Sequence, residues 1–369
     1  MASSSSVASS VHADLPVGTV EVLPVLSITT AGAAPIVSKD DYLLGDFSLD
    51  VAGAASVQGS LEVRGRGNST WSWPKKPYRL KLTTSTALLG MPASKHWVLL
   101  ANYADKTLMR NDIAFMLSRH LGMAYTVRSQ YVQLNVNGVD QGVYQLAEHI
   151  RIAPDRVNVP EVKVGDTAAD KISGGYLLEI DFRSGEDFCM QSNHGMPPFC
   201  LANPETLLDP AWSAQRNYIE TYFANTEAAL FGDDYADPVI GYAAFIDVDS
   251  TINYYLINEL LKNVDGASAS AFLYKKRNGK LFFGPVWDFD LSMGNAGYSD
   301  VEKTYGCHIR NSPWFDRLFQ DSAFRTKVKA RWQTLKDDGT LIYLTQYAQA
   351  RATWLDTQQE KNYQLWDIW

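Results

Sequence analysis

The chain has 369 residues, enough for one large two-lobed domain or two ordinary ones. With 46% hydrophobic and 20% charged residues it can fill a core, which excludes a disordered or collagen-like chain. A net charge of −8 disfavours nucleic acid as a partner, so any polyanionic ligand must be met by a local basic cluster or a metal. No run of about 18 apolar residues predicts a membrane-spanning helix.

The Ser-rich opening, MASSSSVASSVHADLP, lacks the apolar core of a signal peptide, and residues 1–17 read as a disordered leader. From 18 to about 150 the segments VEVLPVLSI, FSLDVAG, GSLEVRGRG, YRLKL and HWVLL read as short strands between turn signals. One helix interrupts them. Asp105 is placed to cap it, Met109, Ile113, Met116 and Leu117 form its apolar stripe, and it runs to His120 before Gly122. Tyr131–Val136 and Val143–Ala147 predict a hairpin about Asn137-Gly138. Residues 154–210, rich in Gly, Pro and Asp, read as a linker and an insert.

Three cysteines cannot make a disulfide framework. Cys189 and Cys200 flank MQSNHGMPPF, which leaves one loop-closing bridge or three free thiols as alternatives. Helices are expected over Trp212–Leu230, Ser250–Asn263, Trp314–Leu335 and Leu341–Asn362. Strands early and helices late give an α+β chain in two lobes.

The chemistry gathers around a second predicted hairpin. Ala271–Lys276 and Leu281–Trp287 read as strands joined at Asn278-Gly279. Residues just before the first strand then lie near residues just after the second, which brings Asp265 toward Asp288-Phe289-Asp290 on one rim. Asp288 and Asp290 are two apart, so an extended backbone would put both carboxylates on one side. Hard oxygen donors of that kind suit Mg²⁺. An acid before a hairpin and a metal-holding acid after it is the arrangement of protein kinases. On its own, an Asp near a turn is more often an ordinary surface residue.

Upstream of that hairpin, Ile252, Tyr255, Leu256 and Leu260 form a helical stripe with Asp249 or Ser250 as its N-cap. Glu259 points along that stripe, so it is paired in a salt bridge, protonated or metal-bound. The positive charge lies in the first half, in VRGRGNSTWSW and KKPYRLKL. Gly65 and Gly67 permit close backbone approach to an anion, with Ser69 and Thr70 as donors. In YRLKL, Arg79 and Lys81 face away from Tyr78, Leu80 and Leu82, which suits either a phosphate site or a solvated edge strand. The segment is neither a P-loop nor a full G-x-G-x-x-G.

Taken together, RGRGNSTW with KKPYRLKL, LLANYADKTLMRN, LNVNGVDQGVYQLAEHI, GGYLLEID, INELLKNVDG and FGPVWDFDLSMGN closely resemble the CotH kinase family of atypical protein kinases. The blocks run in order from Arg64 to Asn295. The resemblance implies a divergent kinase-like two-lobed fold, with a strand-rich N-lobe carrying one helix at 18–150 and a mainly helical C-lobe at 151–369. It implies binding of ATP and Mg²⁺, and phosphorylation of Ser or Thr on coat or surface proteins and on itself. Partners would be Ser/Thr-rich protein segments, in a spore coat, cell-surface or secreted setting.

By the same resemblance, Asp265 in KNVDG acts on the acceptor hydroxyl and Asp288 in WDFD holds Mg²⁺. Lys81, Arg79, Arg66, Asn68 and Ser69 fall to the nucleotide, with Glu148 in GVYQLAEHI and Trp287 near the base. One departure is Ser270, where ordinary kinases place a metal-binding Asn five residues after the catalytic Asp. A second metal ligand must then come from Asp290 or Glu259. The rival readings are a non-catalytic coat or surface module of the same fold and, more distantly, a metal-dependent hydrolase.

Overall fold

Alternating apolar and polar residues close the first part of the chain into a barrel. The computed structural model describes residues 22–182 and 188–367, so the leader read at 1–17 lies outside them. The barrel strands are β1 (Val25–Thr30), β2 (Leu43–Asp50), β3 (Val57–Gly65), β4 (Tyr78–Leu88), β5 (Met91–Leu100), β6 (Ser129–Val136) and β7 (Val139–Glu148). A four-residue helix, α1 (Ser69–Ser72), sits in the β3–β4 connection, and α2 (Arg110–His120) follows β5. The strand order is β1-β2-β3-β4-β5-β7-β6, and a parallel pairing of β1 with β6 seals it. In β4 the period of two is plain: Tyr78, Leu80 and Leu82 are buried with Val63, Trp97, Leu134 and Leu146, while Arg79 and Lys81 lie on the outer face. The strands follow the sequence pattern. The closure does not, because no local signal announces a parallel pair a hundred residues apart.

The chain divides into two compact units that share it in alternation. Among the described residues, one holds those up to 109, 128–149 and those from 340 onward; the other holds 110–127 and 150–339. The second unit is built on a sheet of β8 (Tyr176–Ile180), β9 (Cys189–Met190), β10 (Phe199–Asn203), β11 (Ala271–Lys275) and β12 (Leu281–Phe283), in the order β12-β11-β8-β10-β9. Its helices besides α2 are α3 (Ala169–Ile172), α4 (Ser213–Phe231), α5 (Val248–Leu260), α6 (Pro313–Leu318) and α7 (Ser322–Asp337). Phe199, Phe223, Phe283, Trp314 and Phe315 pack ring against ring beneath them. The stretch at 154–210 is therefore no appendage: it supplies three of the five strands, with buried β8 at the centre. Its Gly and Pro residues fall in the connections and mask strands too short to show a period.

Cys189 and Cys200 oppose one another on β9 and β10 and form a disulfide, which leaves Cys307 as a half-buried free thiol. Three helix boundaries differ from expectation, and an aspartate explains each. Asp105 does not cap a helix; its carboxylate receives the Thr107 N–H at 3.0 Å and hydroxyl at 2.6 Å, and α2 begins only at Arg110. Asp247, rather than Asp249 or Ser250, caps α5 by accepting from the Ser250 N–H at 2.9 Å. The helix expected over Trp314–Leu335 breaks in two because Asp321 caps α7 through the Ala323 N–H at 2.8 Å. Asp247 and Asp321 start their helices by accepting orphan N–H groups, whereas Asp105 spends its carboxylate on a turn ahead of α2.

The last helix, α8 (Thr340–Leu365), belongs with the barrel. It packs on β7, where the Asn362 Oδ1 accepts from the Val143 N–H at 3.1 Å and from the Lys75 Nζ at 2.9 Å. Lys75 is fully buried over the Tyr144 ring, and burial pushes its pKa well below the usual lysine value.

A second buried lysine yields a test. The Lys275 Nζ donates to the carbonyls of Ser173, Lys276 and Gly279 at 2.6–2.9 Å and lies 4.3 Å from the centre of the Tyr222 ring. Burial lowers its pKa to about 8 from an ordinary 10.5. Between those values the unfolded chain binds the proton and the folded chain does not, so this group adds stability as pH rises from 8 toward 10.5. We expect Lys275→Met to be less stable than the parent by about 1–3 kcal/mol at pH 7, since three carbonyls lose their donor. The deficit should widen at pH 9.5 in paired urea titrations. A deficit that shrinks would reverse the sign.

Candidate active site

The second hairpin forms where the sequence puts it. Leu273 pairs with Phe283, Tyr274 with Phe282 and Lys275 with Leu281, and the chain turns at Asn278-Gly279 with Asn278 at φ +48°. The ladder runs on past the turn-distal end, where the Gly284 N–H donates to the Phe272 carbonyl at 2.8 Å. Asp265 precedes this end and Asp288 follows it. The Met293 N–H then donates to the Leu261 carbonyl at 2.7 Å, tying the segment beyond Asp290 to the end of α5. Asp265 thus lies in a turn ahead of the hairpin and Asp288 in the irregular segment that follows it.

The Asp265 turn is buttressed from beneath by amides. The Asp265 N–H donates to the Asn263 Oδ1 at 3.2 Å, and the Asp265 carbonyl receives the N–H groups of Ser268 and Ala269 at 2.9 and 3.0 Å. Asn263 in turn donates to the Asn258 Oδ1 at 3.0 Å, and the Tyr254 hydroxyl donates to the Gly266 carbonyl at 2.7 Å. Tyr254, Asn258 and Asn263 are all buried, so this is a rigid polar base rather than a surface loop. A Cβ on Gly266 would lie 2.6 Å from the Asn258 Oδ1, which accounts for the glycine of KNVDG.

Asp288 departs from the expected geometry. Its φ is +65°, a left-handed conformation, so the segment is not extended there and the alternation argument for Asp288 and Asp290 does not apply. The surroundings impose the conformation: the Phe289 N–H donates to the Oδ1 of buried Asn111 on α2 at 2.8 Å, and Phe289 is fully buried. Asp290 is also buried, and its carbonyl receives the Asn295 Nδ2 at 2.6 Å. Left-handed backbone at a non-glycine residue is concentrated at functional sites. Trp287 is buried and stacks on Phe115 with ring centres 5.8 Å apart.

Glu259 has other employment than a metal. Its two carboxylate oxygens receive the His308 N–H at 2.7 Å and the Arg310 N–H at 3.2 Å, and the Lys262 Nζ lies 4.0 Å away.

In the barrel unit, Lys81 pairs across the strands with Glu62 at 2.9 Å, and Arg79 sits opposite Arg64. Glu148 is fully buried on β7 and takes a two-pronged ion pair from Arg128, at 2.8 Å from Nη2 and 3.0 Å from Nε. Arg66 N–H donates to the Pro77 carbonyl, and Asn68 and Ser69 form the start of α1. The two glycines of RGRGN open no room for an anion. A Cβ on Gly65 would lie 2.4 Å from the Trp71 ring, and Gly67, at φ +89°, would put one 2.0 Å from the Thr70 Oγ1. Gly65→Ala should accordingly lower stability by about 1–3 kcal/mol through the displaced indole. Equal melting temperatures for variant and parent would restore the anion reading.

A family model described as CotH kinase protein matches residues 63–368. The chain belongs to the CotH kinase family. A search among curated proteins returned no match. In this CotH family member no group of three or more His, Cys, Asp or Glu is arranged to hold a metal among the described residues, and no described helix is long and apolar enough to cross a membrane. The residues that sequence reasoning missed are the supporting ones: Asn111 beneath Phe289, Asn258 beneath the Asp265 turn, and Asn295 against Asp290. An asparagine inside the apolar run YYLINELL is a visible oddity, but its partner is not written beside it.

Proposed function

We propose that this chain transfers the γ-phosphoryl group of ATP to Ser or Thr hydroxyls of coat or surface proteins. The observation that carries the reading is the hairpin flanked by two acids, Asp265 on a turn buttressed by buried amides and Asp288 in left-handed backbone beside the Phe289–Asn111 bond. Family membership supports a kinase-like activity in general.

Asp265 orients the acceptor hydroxyl and takes its proton as the phosphoryl group moves. The donor set beyond the hairpin suits Mg²⁺, which takes one or two carboxylates together with phosphate oxygens. Asp288 and buried Asp290 supply those hard oxygens, so a cluster of three acids is not required. When bound, the ion neutralises charge on the β- and γ-phosphates. Lys81, Arg79, Arg66, Asn68 and Ser69 of the barrel unit are assigned to the phosphates. Glu148 and Trp287 are assigned to the base side. Positioning and charge neutralisation are sufficient for this reaction class. Family membership and the Cys189–Cys200 disulfide favour a coat-related place outside the cytosol.

The test is a thermal shift with ATP, with Mg²⁺ and with both. Only a ligand that binds the native state raises apparent stability, by about 2.7 kcal/mol at a hundredfold excess over its Kd. Stabilisation by the two together and by neither alone is the expected result. No shift in any combination would favour the non-catalytic coat module.

A further inference from the structure

A cavity of about 580 Å³ opens beside the Asp265 turn, lined on one side by Val264 and Ser268 and on the other by the 299–312 segment, including Asp300, Lys303, Cys307 and Asn311. Its two walls are held differently. The first rests on the buried Tyr254–Asn258–Asn263 amide network. The second contains a single 3₁₀ turn, Ile309–Asn311, and is gripped from the C-terminal end of α5 by two side chains one turn apart. Glu259 receives the N–H groups of His308 and Arg310, while Lys262 donates to the carbonyls of Tyr305, at 3.3 Å, and Gly306. A carboxylate and an ammonium thus hold both the donors and the acceptors of one loop, with charge-assisted bonds at each contact. Asp300 and Lys303 neutralise one another at 2.9 Å.

We propose that this cavity receives the acceptor polypeptide, and that Glu259 and Lys262 are positioning residues that hold its outer wall. The proposal rests on the kinase reading and deepens it. Val264, Ala267 and Ser268 line the cavity and flank Asp265 in the chain, so a segment lying in it passes the turn that carries the acid assigned to its hydroxyl. The volume suits a short stretch with small side chains around a Ser or Thr. Glu259 then acts on the acceptor, not on the nucleotide.

Cys307 reports on the cavity without any mutation, as a half-buried thiol on its wall. The intact chain is labelled with a bulky maleimide, and Mg-ATP affinity and transfer of labelled phosphate to a Ser-containing peptide are then measured. We expect unchanged Mg-ATP affinity, a KM for the peptide raised by about tenfold or more, and slower labelling when the peptide is present. Cys307→Ser, which has no thiol to label, should be insensitive to the reagent.

Glu259→Gln keeps the side-chain shape and should likewise raise the peptide KM with Mg-ATP affinity intact. Transfer that is indifferent to the label would overturn the cavity proposal and leave the kinase reading standing. Weaker Mg-ATP binding by Glu259→Gln with an unchanged peptide KM would return Glu259 to the metal. An unlabelled parent that neither binds Mg-ATP nor transfers phosphate would overturn both readings.

Discussion

Asp265→Ala is expected to bind Mg-ATP as the parent does and to transfer phosphate about 10²–10⁴-fold more slowly. The variant keeps the backbone and amide bonds that build the Asp265 turn, and its melting temperature is measured beside the parent's. The residue's N–H meets the Asn263 Oδ1, its carbonyl meets the Ser268 and Ala269 N–H groups, and none of these bonds uses the carboxylate. What is lost is the carboxylate proposed to act on the acceptor. Incorporation of labelled γ-phosphate, into the protein itself and into a Ser-rich substrate, is the readout. Labelling at the parental rate would remove Asp265 from the chemistry.

Asp288→Asn should act one step earlier and weaken metal-dependent ATP binding at least about a hundredfold, or about 2.8 kcal/mol. Asparagine is the right substitution here. At φ +65° it tolerates the left-handed backbone about as well as aspartate, whereas alanine would add strain to the loss of charge. The hairpin around it depends on buried Phe283, Trp287 and Phe289 and should not notice the change. Calorimetry that found Mg-ATP bound as tightly by the variant would strip Asp288 of its assigned role. The two variants together separate nucleotide binding from transfer, since Asp265→Ala should lose transfer with binding intact whereas Asp288→Asn should lose both.

The hairpin was legible because Asn-Gly and two aromatic-rich runs are local signals, and the strands of the barrel were legible from their period of two. Long-range pairing was not. The barrel seal between β1 and β6, and β8 at the centre of the second sheet, depend on residues that no window of sequence holds together. Glu259 stood out as a carboxylate on an apolar stripe, yet its partners are the N–H groups of a loop about fifty residues away, which have no sequence signature. The glycines of RGRGN were visible for the wrong reason, since Trp71 and Thr70 occupy the room they leave. Asn111 looks neutral in a helix, and Asn258, though odd in an apolar run, shows no partner until the groups they serve are in place.

Lys75 and Asn362 are 287 positions apart, and this has a consequence for how the chain is made. A ribosome releases residues from the N-terminal side, so the barrel strands emerge long before α8, the helix that brings the amide for the buried ammonium. Until then Lys75 has no Asn362 to meet, and that edge of β7 stays uncovered while the whole of the second unit is being synthesised. Domains built from contiguous sequence finish as they emerge. This barrel cannot. Its last piece is translated only after the second unit, which extends the interval in which proteases and chaperones meet an open barrel, and that interval is set by chain order rather than by the strength of any contact.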